Sequence, residues 1–146
     1  MAKLQVELVT AEGRVLSQEA DFVKAPGMAG ELGVLPHHIP LMTPLRIGEV
    51  LVRNEGREEY LAVAGGFLEI LPDKVVILAD SAERAEDIDE SRAEEARRRA
   101  QQILEQQPAE SAEALEARLA LERAASRLRV AELRRRRRPP QQPPPA

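Results

Sequence analysis

The chain changes character within one stretch, Ile77-Leu78-Ala79-Asp80-Ser81-Ala82-Glu83-Arg84-Ala85-Glu86-Asp87-Ile88-Asp89-Glu90-Ser91-Arg92-Ala93. Before it, apolar residues alternate with polar ones or form short β-branched runs. After it, they recur at helical spacing among Glu, Arg, Ala and Gln. All eight glycines lie at or before Gly66, and all three aromatic residues lie at or before Phe67. This stretch therefore separates a turn-rich β region from a glycine-free helical region.

The β region predicts a sandwich or a flattened barrel. Leu4, Val6 and Leu8 alternate with polar residues, as in a half-buried strand. Further short apolar runs follow, separated by turn residues about every 8–12 positions. Gly65-Gly66 is expected to end one of these strands. The predicted fold class is α+β, with an N-terminal antiparallel β-sandwich in front of the helices.

The helical region predicts a two-helix hairpin. Asp87 or Asp89 can cap the first helix, Pro108 ends it, and Ser111 can cap the second. The short link between them favours antiparallel packing. The expected seam consists of small side chains: Ala93, Ala96 and Ala100 on one helix, and Ala117, Ala120 and Ala124 on the other. Alanine buries little area, so we expect a hairpin of marginal stability.

The predicted domains are a sandwich (residues 1–84), a hairpin (85–133) and a disordered Arg/Pro-rich tail (134–146). Residues 1–80 carry 7 basic and 12 acidic side chains, a net of −5, whereas residues 118–138 carry nine arginines and two glutamates, a net of +7. The basic segment is either a solvated surface or a segment that docks on something acidic. With no cysteine, signal peptide or membrane-length apolar run, we expect a cytoplasmic location.

Patterns typical of enzymes are not found. His37-His38 is the only histidine site, and no nearby Cys or Glu completes a ligand set, so no metal site is expected. The chain has no phosphate loop, no Rossmann glycine pattern and no nucleophile elbow. We therefore expect a non-catalytic protein.

Charged residues at the start of the first helix form a better candidate site. Asp89 and Arg92 share one helix face, and Arg99 lies further along it. Arg123 and Arg127 are aligned in the same way on the second helix. Closing the hairpin would bring the arginine pairs together, and guanidinium forks match phosphate oxygens. Alternatively, these residues form weak surface ion pairs with neighbouring glutamates: Glu95, Glu116 and Glu122.

Four blocks of the sequence resemble a known family. The blocks are Pro26-Gly27-Met28-Ala29-Gly30-Glu31-Leu32-Gly33-Val34-Leu35-Pro36-His37-His38-Ile39-Pro40-Leu41, Gly65-Gly66-Phe67-Leu68-Glu69-Ile70, Val75-Val76-Ile77-Leu78-Ala79-Asp80 and Leu128-Arg129-Val130-Ala131-Glu132. Over about residues 3–133 the chain is similar to the epsilon subunit of the rotary F-type ATP synthase. The resemblance implies a sandwich of about ten strands followed by a helical hairpin.

The resemblance also implies a position in a complex. The subunit would belong to the central stalk, beside the gamma subunit and against the ring of c subunits. It would couple this rotor to the alpha and beta subunits of the catalytic head in a proton- or ion-translocating enzyme. The implied location is peripheral, on the cytoplasmic face of the cell membrane and not spanning it. Glu31 and His38 match positions at which relatives contact the c ring.

The nucleotide motif of the family matches in full at Ile88-Asp89-Glu90-Ser91-Arg92-Ala93. In relatives that bind ATP here, an upstream glutamate and further basic residues contribute. The residues implied for nucleotide binding are Glu83, Ile88, Asp89, Arg92, Ala93, Arg99, Arg123 and Arg127. ATP is the implied regulatory ligand, and no cofactor is required.

The family mechanism uses a mobile hairpin. When the hairpin is closed, the helices fold against the sandwich and ATP bridges them. When it is open, the second helix extends to the catalytic head, where its arginines meet acidic loops and stop ATP hydrolysis. The arginines implied for this contact are Arg123, Arg127, Arg129 and Arg134.

The C-terminal residues depart from the family pattern. Five arginines, from Arg134 to Arg138, are followed by a proline-rich run. Three roles are open for these residues: they strengthen the contact with acidic loops, form an inert terminus or bind anionic lipid. A different class of function is a nucleic-acid-binding sandwich with a basic arm. The acidic sandwich, without a cluster of exposed aromatics for base stacking, argues against nucleic acid as a partner.

Overall fold

The computed structural model describes residues 2–137. Eight strands come first: β1 (Leu4–Thr10), β2 (Gly13–Ala20), β3 (Phe22–Gly27), β4 (Gly30–Val34), β5 (Leu41–Asn54), β6 (Arg57–Leu71), β7 (Lys74–Ala79) and β8 (Ala82–Arg84). A single 3-10 turn (Ala85–Asp87) leads to two helices, α1 (Glu90–Gln106) and α2 (Ala112–Arg137). The fold is therefore α+β in the predicted order, a β-sandwich followed by a helical hairpin.

The strands form one continuous sheet that folds over on itself. Their order is β2-β1-β7-β6-β5-β3-β4, and β8 pairs with β6. β5 and β6 are 14 and 15 residues long. The first half of β5 pairs with the half of β6 that borders β7, and its second half borders β3. The two long strands thus contribute to both layers, and counting their halves separately gives the expected ten.

Two details differ from the sequence-based expectation. Gly65-Gly66 does not end a strand, because β6 runs through both residues with φ of 78° and 118°. A Cβ on Gly66 would lie 2.1 Å from the carbonyl oxygen of Leu78, so glycine lets β7 approach the bend closely. In addition, β1 and β7 pair in parallel, so the sheet is not wholly antiparallel.

The interior of the sandwich is aliphatic, and β5 and β6 are apolar on both faces. Leu4, Val6 and Leu8 are fully buried, as their alternation predicts. On β5, Val50 and Val52 belong to the sandwich core, whereas Leu51 belongs to a second cluster beneath α2. This outer helix explains why the apolar residues of β5 and β6 run continuously instead of alternating.

Local signals set the helix boundaries. Asp89 Oδ1 accepts from the backbone N–H of Arg92 at 3.1 Å, and Ser111 Oγ accepts from that of Ala114 at 3.1 Å, which confirms both predicted caps. The seam of the hairpin buries only small side chains, namely Ala93, Ala100, Ala114, Ala117 and Ala124. Ala96 and Ala120 of the predicted seam are half-buried and border a cavity between the helices. Neither helix is both long enough and apolar enough to cross a bilayer within residues 2–137.

α2 is longer than the sequence analysis predicts. It continues to Arg137, so residues 134–137 are helical and do not belong to the disordered tail that was expected from residue 134. Arginine is a good helix former, and positive charge at a helix C-terminus interacts favourably with the helix dipole. The rest of the predicted tail, residues 138–146, lies outside the described residues.

Candidate functional site

Four of the predicted nucleotide-binding residues line one small cavity where the sandwich meets the hairpin. Glu83 is held by β8, Asp89 and Arg92 by the start of α1, and Arg127 by α2. The cavity has a volume of about 80 Å³. The structure therefore brings together two acids and two arginines from three elements that are separate in the sequence.

The central contact is an ion pair between Glu83 and Arg127. Arg127 Nε lies 2.8 Å from Glu83 Oε2. This oxygen is buried and takes part in no aligned hydrogen bond within the part of the chain described. The ion pair links β8 of the sandwich to α2 of the hairpin. Because Glu83 Oε2 is buried, an anionic ligand that pairs with Arg127 must leave Glu83 another partner.

A second cavity of about 240 Å³ adjoins the first and shares Glu83 and Arg127 with it. Its walls also include Ala62 and Ala64 of β6, together with Arg123 of α2. Sites for small molecules typically begin at about 300 Å³. Each cavity alone is smaller than that, and the two together reach it, so a nucleotide would need both.

The remaining residues of the Ile-Asp-x-x-Arg-Ala motif have structural roles here. Ile88 packs against the cluster beneath α2, and Ala93 is fully buried in the hairpin. They precede and follow the Asp89 cap at the positions of a hydrophobic staple. Arg92 is exposed and makes no ion pair within residues 2–137. Its guanidinium is therefore the part of the motif that the fold leaves available.

Arg99 lies outside this site. It is seven residues beyond Arg92, or about 10 Å along the helix, and it pairs with Glu95 at 3.5 Å. It borders a different cavity, of about 610 Å³, at the linker end of the hairpin. Arg123 borders the 240 Å³ cavity but donates to Glu116 at 3.1 Å. Arg99 and Arg123 thus form two of the surface ion pairs that were the alternative interpretation.

Sequence reasoning missed a polar anchor for α2 on the sandwich. Glu49 of β5 accepts from Ser126 Oγ at 2.9 Å and from Arg129 Nε at 2.7 Å. The hydrogen bond to Glu49 raises the pKa of Arg129. Ser126 is 1% exposed, and its place between Ala124 and Val130 on a buried face was a signal that it needs a partner. Nothing in the sequence identified Glu49 as that partner.

The four arginines predicted to meet acidic loops face acids of this same chain. Arg123, Arg127 and Arg129 pair with Glu116, Glu83 and Glu49. Arg134 borders a cavity lined also by Glu58, Glu59 and Glu86. The structure thus describes a closed form, in which α2 lies on the sandwich.

The two residues predicted to face the c ring lie in different surroundings. Glu31 is exposed on β4 and lies 3.7 Å from Lys24 Nζ. His38 is in the β4–β5 loop, where its Nδ1 lies 2.6 Å from the Ile39 carbonyl oxygen. In this loop Leu35 and Ile39 are 60% and 76% exposed. The loop therefore presents apolar side chains that the fold itself does not cover.

Comparisons with known proteins agree with this architecture. Residues 3–85 match the family model described as ATP synthase, delta/epsilon chain, beta-sandwich domain. Residues 86–132 match the model of its long alpha-helix domain. A solved structure of the Euglena gracilis mitochondrial ATP synthase contains a chain with the same fold, with a TM-score of 0.78 and 24% identity over 90% of this chain and 82% of that one.

Bacterial relatives are much more similar in sequence. The ATP synthase epsilon chain of Dehalococcoides mccartyi is 54% identical over 136 residues, which cover 92% of this chain and 96% of the relative. That of Herpetosiphon aurantiacus is 50% identical over 133 residues, 90% of this chain and 96% of the relative. That of Moorella thermoacetica is 51% identical over 132 residues, covering 90% and 98%. With both of its domains matched in order, the chain belongs to the delta/epsilon chain family of the ATP synthase, as an epsilon chain.

Proposed function

We propose that this chain is a non-catalytic subunit of the central stalk of an F-type ATP synthase, and that its hairpin is an ATP-sensitive brake on ATP hydrolysis. The sandwich would rest on the gamma subunit and the c ring at the cytoplasmic face of the membrane. The exposed apolar loop at Leu35 and Ile39, together with Glu31 and His38, supports a contact with the ring. In the open form α2 would reach the alpha and beta subunits of the catalytic head.

The observation that carries the proposal is the cluster of Glu83, Arg92 and Arg127 at the junction of the domains. ATP bound there would place its phosphates between an arginine of α1 and one of α2, and so bridge the hairpin. Glu83 and the remaining oxygen of Asp89 would be available to accept from ribose or adenine donors. A ligand that binds only the closed form, at 100 times its dissociation constant, adds about 2.7 kcal/mol to that form.

The mechanism follows from the way α2 is held. The polar anchors on the sandwich, Glu49 and Glu83, pair with arginines that remain partly exposed. Such pairs contribute about 0–1 kcal/mol each. Low ATP would release α2, and its freed arginines would then engage acidic loops of the head. Hydrolysis would stop when ATP is scarce.

Calorimetric titration of the isolated chain with ATP tests the site. Arg92→Ala should abolish binding, because Arg92 is the cation of the cluster that makes no ion pair within residues 2–137. Arg98→Ala is the matched control, since Arg98 is an exposed arginine on the same helix and does not border the cavities at the junction. Unchanged affinity in Arg92→Ala would refute the site assignment.

In the assembled complex, a covalent crosslink between α1 and α2 should relieve inhibition of hydrolysis. A locked hairpin that inhibits as strongly as a free one would refute the brake.

The structure gives no support to the alternative of nucleic-acid binding. Of the three aromatic residues, Tyr60 is 8% exposed and Phe22 lies beneath Arg53 at 5.0 Å, so Phe67 alone is strongly exposed. Base stacking on a protein surface needs several such rings along one groove.

A further inference from the structure

We propose that arginines in the last turn of α2 form a latch that holds the hairpin closed on the sandwich. The latch consists of two ion pairs, Arg137 with Glu58 and Arg135 with Glu90. It rests on the proposed function in one respect, because a latch regulates the enzyme only if the hairpin opens. It differs from all three roles considered for these arginines from the sequence.

Glu58 is the carboxylate on the sandwich that pairs with Arg137 of the latch, and neighbouring side chains hold it in place. Its side chain is 9% exposed and accepts hydrogen bonds from the Tyr60 hydroxyl and from Arg53 Nε, the latter at 3.3 Å. Arg137 Nε lies 3.3 Å from Glu58 Oε2. Groups of the sandwich itself therefore orient this carboxylate. It presents a fixed negative charge where α2 ends.

The second pair ties the same end of α2 to the other helix. Arg135 contacts Glu90, the first residue of α1. Arg136, between the two latch residues, pairs instead with Glu132 of its own helix at 2.7 Å. Neighbouring arginines thus make different contacts, and among residues 134–137 only Arg135 and Arg137 form ion pairs with described residues outside α2.

The position of the latch gives it a regulatory effect. The match to the helical-domain family model ends at residue 132, so both latch arginines lie beyond it. The Arg137–Glu58 pair exists only while α2 lies on the sandwich, and the Arg135–Glu90 pair only while the two helices are folded together. They therefore stabilise the closed form selectively, and the hairpin should open less readily than it would without them. Because the pairs are partly exposed, salt should weaken the latch.

A single introduced thiol can measure opening, because the chain has no cysteine. Val130 is fully buried between α2 and the sandwich, against Leu51 and Tyr60. In a Val130→Cys background, the rate of modification by a small thiol reagent reports how often α2 lifts off. The added substitutions R135Q/R137Q should raise this rate about fivefold at low salt. The difference should shrink at high salt.

The matched control is R98Q/R136Q in the same background, because Arg98 is exposed and makes no ion pair within residues 2–137. It removes the same charge from the hairpin but breaks no ion pair between α2 and the rest of residues 2–137, so its rate should stay within about twofold of the parent. Equal rates in the two double variants would overturn the latch. A Val52→Cys reporter in the sandwich core should stay slow in R135Q/R137Q. If it accelerates as much as Val130→Cys does, the sandwich unfolds and the latch is likewise overturned.

Adding ATP separates the latch from the proposed function. ATP should slow modification of Val130→Cys if it binds the closed form. If ATP has no effect while R135Q/R137Q and R98Q/R136Q differ, the ATP site fails and the latch stands. If ATP slows the reaction while the two double variants are equal, the latch fails and the ATP site stands.

Discussion

The sandwich and the hairpin bury side chains of very different size. The largest fully buried side chains are all in the sandwich, among them Leu4, Leu61, Leu68, Ile70 and Ile77. The buried positions of the two helices are mainly alanines. Each buried methylene contributes about 0.8 kcal/mol, so the sandwich gains far more per residue from burial.

This difference in burial separates a stable domain, the sandwich, from a weakly docked one, the hairpin. The sandwich holds itself together by an aliphatic core that its own strands supply. α2 is held on it by one small cluster around Val130 and by ion pairs such as those of Glu49 and Glu58. Polar contacts can be exchanged for water or for a partner at little cost, whereas a core cannot. A helix attached in this way is suited to leave and return.

Truncating the sandwich core should have the largest effect. Ile70→Ala removes a fully buried side chain and should lower the free energy of unfolding by about 2–5 kcal/mol. Leu119→Ala on α2 is the contrast, since this side chain is 37% exposed and should cost less than about 1 kcal/mol. Urea denaturation followed by circular dichroism measures both. Equal losses of unfolding free energy would contradict the division into a stable sandwich and a weakly docked hairpin.

Shortening a side chain between α2 and the sandwich should have an intermediate effect on stability. Val130→Ala removes two methyl groups from the cluster beneath α2, which should weaken docking by about 1–2 kcal/mol. Hydrogen exchange should then become faster in the docking face of β6 while the sandwich core stays protected. If protection falls uniformly in both regions, the helix and sandwich unfold as one unit and the comparison fails.

Lowering the pH should have the smallest effect on the docking of α2. The Tyr60 hydroxyl, by donating to Glu58, lowers the pKa of that carboxyl, and Arg137 and Arg53 lower it further. A carboxyl whose pKa is lower in the folded state contributes stability above its unfolded pKa, about 4.3. That stability is lost as pH falls through the folded pKa. We therefore expect docking of α2 to weaken below about pH 4.

The thiol reporter at Val130 can follow this pH dependence, with rates corrected for the ionisation of the thiol. Arg137→Gln should reduce the acid-dependent part, because Glu58 then loses one of its cations. Glu58→Gln should remove the part that this carboxyl contributes. An unchanged profile in Glu58→Gln would contradict the assignment of the acid sensitivity to this carboxyl.

Local signals in the sequence sufficed for most of the fold. The sequence predicted the first strand from the alternation of Leu4, Val6 and Leu8, and the starts of both helices from the caps Asp89 and Ser111. It also predicted that alanines line the hairpin. Each of these features depends on residues that are close in the chain. The bend at Gly65-Gly66 was misread as a strand end. Its meaning depends on how closely β7 approaches, and that is a long-range property.

The candidate site was predictable in composition but not in arrangement. The motif from Ile88 to Ala93 identified Asp89 and Arg92, and their helical spacing placed them on one face. Spacing alone also suggested Arg99, which lies about two turns away from the cavity. The distance between α1 and α2 at each level depends on how the hairpin docks, and the sequence does not encode that locally.

What the sequence by itself determined is the division of this protein into an aliphatic β-sandwich and an alanine-seamed helical hairpin, because periodicity and side-chain size are local properties. Only the tertiary structure decided which charges meet. Glu83 reaches Arg127, Glu49 reaches Arg129 and Glu58 reaches Arg137 across 44, 80 and 79 positions of the chain. An ion pair requires two charges within a few ångströms, and the folding of the whole sheet sets that distance.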